Sequence, residues 1–224
     1  MGKVSEYDDK IRPATPEKIE LASTMLGQGG LVVIPTDTVY GLAADALDKY
    51  AVARIFEVKG RPQNKALVIF VSDLATAKKL APFNRLAIRC AEKFWPGALT
   101  LVLPRYQGCP LPGIITAGLD SLAIRIPKNP VALALLKTAH RPLAVTSANR
   151  SGESNPVTAQ EAARTLSGQV DLILDGGPCE IGAESTVLDV RGETPVILRA
   201  GAVARKSIEK FLDAPVEILN SRNS

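Results

Sequence analysis

Apolar positions along the chain recur in two registers, and the change from one to the other marks out the elements. Ile19, Ala22 and Leu26 lie at helical spacing, introduced by Thr15-Pro16-Glu17 and stopped by Gly29-Gly30. A capping hydroxyl, a proline at the first helical position and an acid in the first turn are what a helix start requires, and glycine ends it. LVVIP (31–35) then runs without polar interruption and is rich in β-branched residues, which reads as a buried strand. Helical patterns follow over 48–58, 73–80, 84–94 with Asn84 as cap, 129–139, and 158–167, where Thr158 and Glu161 make a capping box. Strands are expected at ALVIFV (66–71), ALTLVLP (98–104), SLAIRIP (121–127), LAVTS (143–147), DLILD, STVLDV and PVILR. KSIEKFL reads as a last helix and NSRNS as a frayed tail.

Strict βαβα alternation is absent, so a simple doubly wound fold is disfavoured. Short apolar strands with irregularly interspersed helices predict one α/β (α+β) domain around a twisted, open, mixed sheet. The expected division is an N-terminal extension over 1–14, the domain over 15–212, and a C-terminal strand and tail over 213–224.

Composition narrows the chemistry. The 224 residues are 46% hydrophobic and 22% charged, enough for a single large core without staples. Cys90, Cys109 and Cys179 are widely spaced with no CxxC pair, which argues against a disulfide framework or a zinc site. The start MGKVSEYDDK has no apolar leader, and no apolar run approaches ~18 residues. A cytoplasmic protein without membrane contact is the expectation. The single histidine, His140, sits in LLKTAHRPLAV and reads as a helix-end residue, which argues against Ser-His-Asp hydrolysis and histidine-rich metal sites.

Charge changes the picture locally. The net charge is +4 at a pI near 9.0, and between Lys59 and Arg105 nine Lys/Arg face only two acids, Asp73 and Glu92. Such asymmetry suits a nucleotide or RNA. Lys78, Lys79, Arg85, Arg89 and Lys93 fall in helical stretches and read as a solvated face. Lys59, Arg61 and Lys65 are different: Gly60 and Pro62 hold them in a bend directly before a buried strand, with no carboxylate between Lys59 and Val71.

Four polar clusters stand at strand ends, where open sheets place ligands. They are PTDTVYGL (35–42), VKGRPQNK (58–65), TSANRSGESNP (146–156) and GAESTVLDV (182–190), with Arg199 one strand later. Each alone reads as an ordinary turn. Together they make one polyanion cleft the economical account. Neither GxxxxGK[ST] nor GxGxxG occurs. Aromatics are only 4%, which argues against a base-stacking platform. A triphosphate fits, because transfer at phosphorus needs positioning and charge neutralisation more than a nucleophilic side chain.

PTDTVYGL, Lys59-Gly60-Arg61 and Ser147-Ala148-Asn149 closely resemble the YrdC family, the threonylcarbamoyl-AMP synthases, whose signature is K-x-R … S-x-N. WPGALT, LAIRIP, ESTVLD and ILRAG resemble it too, so the likeness runs from about Thr15 to Phe211. The resemblance implies a concave, positively charged cleft and a reaction of L-threonine, bicarbonate and ATP that gives threonylcarbamoyl-AMP and pyrophosphate. The product serves threonylcarbamoyl-adenosine formation in tRNA, through a downstream tRNA threonylcarbamoyl-transferase complex. Mg2+ would arrive on the ATP phosphates, with no side-chain metal site and no organic cofactor. Lys59 and Arg61 carry the catalytic roles. ATP is expected on Lys59, Arg61, Lys65, Ser121, Asn149, Val157 and Arg199, and threonine on Thr38, Arg125, Ser147 and Ser185. Phe70 stands where some relatives carry a polar residue. The chain resembles the short, single-domain form. Two rivals stay open: a non-catalytic double-stranded RNA-binding or ribosome-maturation protein of the same fold, and carbamoyl adenylation from carbamoyl phosphate as in hydrogenase maturation.

Overall fold

Strand and helix assignments follow the sequence pattern closely in the structure, a computed structural model that describes residues 8–219. NSRNS lies outside them. The strands are β1 (Ile11–Pro13), β2 (Val32–Ile34), β3 (Gly41–Asp45), β4 (Val68–Phe70), β5 (Leu99–Pro104), β6 (Ser121–Arg125), β7 (Leu143–Ser147), β8 (Leu172–Asp175), β9 (Thr186–Asp189), β10 (Val196–Arg199) and β11 (Glu217–Ile218). The helices are α1 (Pro16–Gly27), α2 (Lys49–Lys59), α3 (Leu74–Leu80), α4 (Arg85–Phe94), α5 (Pro130–Ala139), α6 (Ala159–Leu166) and α7 (Arg205–Leu212). β1 and β3 were not foreseen, whereas β11 falls in the expected C-terminal strand and tail. β1 lies within the stretch read as an extension and pairs with β8.

One mixed sheet takes all eleven strands in the order β1-β8-β2-β3-β7-β4-β6-β5-β9-β10-β11. Five pairings are parallel (β1/β8, β2/β8, β4/β6, β5/β9, β10/β11) and the rest antiparallel. Helix starts are chemically marked. The side chains of Thr15, Asp48, Asp73, Asn84 and Asn129 each accept a backbone N–H from the first turn of the helix that follows, satisfying donors that the helix cannot pair internally. His140 caps α5 at its C-terminus with φ 51°. The cations of α3 and α4 are exposed, as a solvated face should be. No helix among the described residues is long and apolar enough to cross a membrane.

The position of the site follows from which face is covered. Along each strand alternate side chains point to opposite faces. Leu42, Ile69, Leu101, Ile124 and Ala144 enter a core beneath α2, α3, α4, α6 and α7. Val32, Ala43, Phe70, Leu143 and Val145, on the other face, enter a second core beneath α1 and α5. That second core includes no residue of β5, β6 or β9. On its side, therefore, the far half of the sheet carries no helix of that layer, and strand side chains there are left to line open space.

Candidate functional site

A cavity of about 300 Å3 lies over this uncovered half, at the small end of the usual range for ligand sites. Its floor is a ladder of register-matched residues. Val145 of β7 pairs with Val68 of β4, Val68 with Ala123 of β6, and Ala123 with Val102 of β5, and all four line the cavity. Gly41 adds depth, since a Cβ there would lie 2.8 Å from Val145 Cγ1. The walls come from loops at the strand ends.

The Lys-Gly-Arg wall is a helix stop. Lys59 ends α2, and Gly60 takes the left-handed conformation (φ 59°) that glycine adopts without strain. Its N–H donates to Glu57 O and that of Arg61 to Phe56 O, a capping pattern that closes the last turn. The reversal sends the two cations to different places. Lys59 turns inward and is 3% exposed. Its Nζ donates to Ser147 O, Asn149 O and Asn149 Oδ1, which uses all three of its protons. The Lys59 carbonyl accepts Ser151 N at 3.0 Å. Ser147 Oγ donates to Asn149 Oδ1 at 2.6 Å and Asn149 Nδ2 donates to Glu153 O at 2.7 Å. Lys59 thus binds the Ser-Ala-Asn loop to α2 from both its ends. Burial, helped by neighbouring Arg61, lowers the ammonium pKa to about 8. Arg61 turns to the cavity, its Nε donating to Lys65 O at 3.2 Å and its Nη2 to Ala66 O at 2.8 Å. Burial and nearby Arg199 lower its pKa, against the opposing pull of Glu184. Nη1 and one Nη2 proton stay free for a ligand, and no carboxylate is bonded to this guanidinium among the described residues.

The opposite wall centres on Arg125, which alternates with apolar neighbours in β6 and is buried. Its Nη2 donates to Asp37 Oδ1 at 2.6 Å, Nη1 to Thr38 Oγ1 at 2.9 Å and Nε to Gly97 O at 2.8 Å. Both charged side chains are nearly inaccessible, at 4% and 3%. The guanidinium lies over the Phe70 ring, 5.4 Å from its centroid. Thr36 Oγ1 donates to Val39 O, so in its 2.9 Å contact with Thr38 it is Thr38 that donates. Direction is thereby fixed from Arg125 through Thr38 to Thr36. Two guanidinium protons, one on each terminal nitrogen, are uncommitted.

A third wall joins β9 to β10. Arg199 Nη1 donates to Glu184 Oε1 at 2.8 Å and Nη2 to Ser185 O at 2.9 Å, while its buried Nε has no partner among the described residues. Ser185 Oγ contacts Thr100 Oγ1 at 2.8 Å. Arg191 completes the lining, held by Asp189 through both carboxylate oxygens.

Seven of the residues named from sequence line this cavity: Thr38, Arg61, Ser121, Arg125, Ser147, Ser185 and Arg199. Lys59 and Asn149 stand directly behind it. Lys65 is exposed, and the Val157 amide donates to Glu161 Oε2 at 2.7 Å. The charge picture is subtler than a uniformly positive cleft. Three of the four lining arginines already carry a carboxylate, leaving Arg61 and, behind it, Lys59. Asp37, Glu184 and Arg191 were given no role from sequence. Asp37 had a signal, a lone acid among hydroxyls directly after a buried strand. Arg191 had none.

The donor set is arginines, hydroxyls and one carboxylate around an apolar floor, a lining chemically suited to an anionic small molecule. The Sua5/YciO/YrdC family model, described as telomere recombination, matches residues 24–201. The chain belongs to this family. It is 44% identical over 196 residues to a Pyrococcus abyssi protein named threonylcarbamoyl-AMP synthase, covering 87% of this chain and 57% of that one. It is 40% identical over 214 residues to a Bacillus subtilis protein of the same name, covering 95% and 61%. The crystal structure of P. abyssi Sua5 complexed with L-threonine superimposes with a TM-score of 0.88 at 41% identity, covering 93% of this chain and 61% of that one. The chain thus spans about three-fifths of the length of these relatives.

Proposed function

We propose that the chain forms threonylcarbamoyl-AMP and pyrophosphate from L-threonine, bicarbonate and ATP, as a nucleotidyl-transferring enzyme. One observation carries the reading: Arg61, Arg125 and Arg199, with the hydroxyls of Thr38, Ser147 and Ser185, come from separate strand ends and face a single cavity. The names of the relatives and the threonine complex of the P. abyssi protein support it.

In this reading the neutral threonine amine and bicarbonate give a carbamate and water. A carbamate oxygen attacks the α-phosphorus and pyrophosphate leaves. Arg61, with its free protons and no carboxylate partner, takes phosphate oxygens and stabilises charge on the leaving group. Arg125 offers two parallel N–H groups to the amino-acid carboxylate, a match that lysine does not reproduce. Thr38 and Ser185 orient the amino acid, and Ser121 and Arg199 meet the nucleotide. Lys59 and Asn149 act from behind by fixing the loop that carries Ser147. Mg2+ neutralises phosphate charge when it enters with ATP. The lining suits phosphate oxygens better than a dedicated cation cage, which normally gathers several carboxylates. The product is consumed in tRNA modification.

Pyrophosphate release from ATP and bicarbonate, with and without L-threonine, tests the proposal. Threonine-dependent release is expected. Salt-sensitive RNA binding without any release would favour the non-catalytic alternative, and release with carbamoyl phosphate in place of threonine and bicarbonate would favour carbamoyl adenylation.

A further inference from the structure

Among the described residues, Glu184 is the single carboxylate that lines the cavity. A carboxylate is out of place in a site for anions, because it repels the phosphates that the arginines attract. Its surroundings are well defined. Oε1 accepts Arg199 Nη1 at 2.8 Å, and no hydrogen bond to Oε2 is present among the described residues. The side chain is 35% accessible, so that oxygen is not sealed into the core. Its charge acts on both Lys59 and Arg61, which places it beside the wall assigned to phosphate. It directly precedes Ser185, assigned to the amino acid. Glu184 therefore stands where the two substrates must meet for a carbamate oxygen to reach phosphorus.

Among the organic substrates of the proposed reaction, only one group is cationic. ATP and bicarbonate are anions, and the amino acid brings a carboxylate and an α-ammonium. Arg125 answers the carboxylate, and nothing assigned so far answers the ammonium. We propose that Glu184 recognises the α-ammonium of the amino-acid substrate through Oε2, while Oε1 stays on Arg199 and fixes its approach to the nucleotide. The inference rests on the synthase reading for its choice of ligand. It adds a selectivity that reading does not contain: the site admits α-amino acids and rejects the same acid without its nitrogen.

Calorimetric titration of the full chain tests this, using L-threonine, its deaminated counterpart 3-hydroxybutyrate, and MgATP. The wild type is expected to prefer threonine over 3-hydroxybutyrate by about ten- to a hundredfold, the effect of one hydrogen bond between charged groups. Glu184→Gln keeps the shape and a hydrogen-bond acceptor for Arg199. It should lose most of that preference while 3-hydroxybutyrate and MgATP bind within a few-fold of wild type. Equal affinity of the wild type for the two acids overturns the proposal without any variant. A Glu184→Gln variant that weakens MgATP and spares threonine also overturns it, since the carboxylate then serves a phosphate-bound cation. Equal weakening of all three ligands overturns it in favour of a purely structural role. If the wild type prefers threonine and Glu184→Gln loses that preference, yet the wild type releases no pyrophosphate, the synthase reading falls and the assignment of Glu184 stands; a preference that survives in Glu184→Gln overturns the assignment. No threonine binding at all removes both.

Discussion

Arg125 and Lys59 are both buried cations near one cavity, yet they are stabilised in different ways. Arg125 has a carboxylate, Asp37, at 2.6 Å. Lys59 has, among the described residues, only oxygens of Ser147 and Asn149. The first end is neutral as a pair and rigid, suited to fixing the angle of a planar carboxylate. The second keeps its net charge and, through Arg61, presents it to the cavity. Specificity and anion attraction are thus assigned to opposite ends, and a uniformly basic cleft would provide the second at the expense of the first.

The sharpest way to break this contrast is at Asp37. Asp37→Ala leaves a buried guanidinium without its counter-charge and should cost about 3–5 kcal/mol of stability, read as a lowered denaturant midpoint. Next comes Arg61→Ala at the other end. Pyrophosphate release should fall by about a hundredfold or more, with the denaturant midpoint almost unchanged because the side chain is bonded only to loop carbonyls. Near-normal turnover would sink its assignment to phosphate.

A smaller effect separates the ends by pH. The Lys59 ammonium titrates at about 8 when folded, below its ordinary 10.5, because burial disfavours its charge. Between these values the unfolded chain binds more protons, so stability should rise as pH climbs through 8 towards 10.5. The gain is at most about 3 kcal/mol and should vanish in Lys59→Met. Activity should move the other way, because the neutral amine has two donors for three oxygens and the Ser-Ala-Asn loop loosens. The smallest effect is expected at Lys65, whose exposed side chain makes no hydrogen bond or ion pair among the described residues. Lys65→Ala should change turnover less than about threefold, and a larger loss would return it to the phosphate site.

Much of this architecture could be read from residues. Thr15 and Asn84 were legible as caps because side-chain capping is local. β3 was not, since Gly41-Leu42-Ala43-Ala44-Asp45 has weak intrinsic strand preference. It is held by pairing on both sides with β2 and β7, about a hundred residues away in the case of β7. The site divides on the same principle. The Lys-Gly-Arg bend announced itself through unpaired charge in a fixed turn. The partnership of Asp37 with Arg125 spans 88 positions and exists only once β6 lies beside the loop after β2. Glu184 was visible as a letter in ESTVLD, but its meaning depends on being the lone acid facing a cavity, which no linear pattern displays.

Gly60 has a consequence for how variants should be interpreted. One backbone torsion determines both how deep the ammonium sinks and where the guanidinium reaches, so the two cations cannot drift independently. Any L-amino acid at that position would meet a strained rotation of about 1–2 kcal/mol, although a methyl there has room. Relief of that strain would displace both groups at once, and kinetics would register a single substitution as a double lesion.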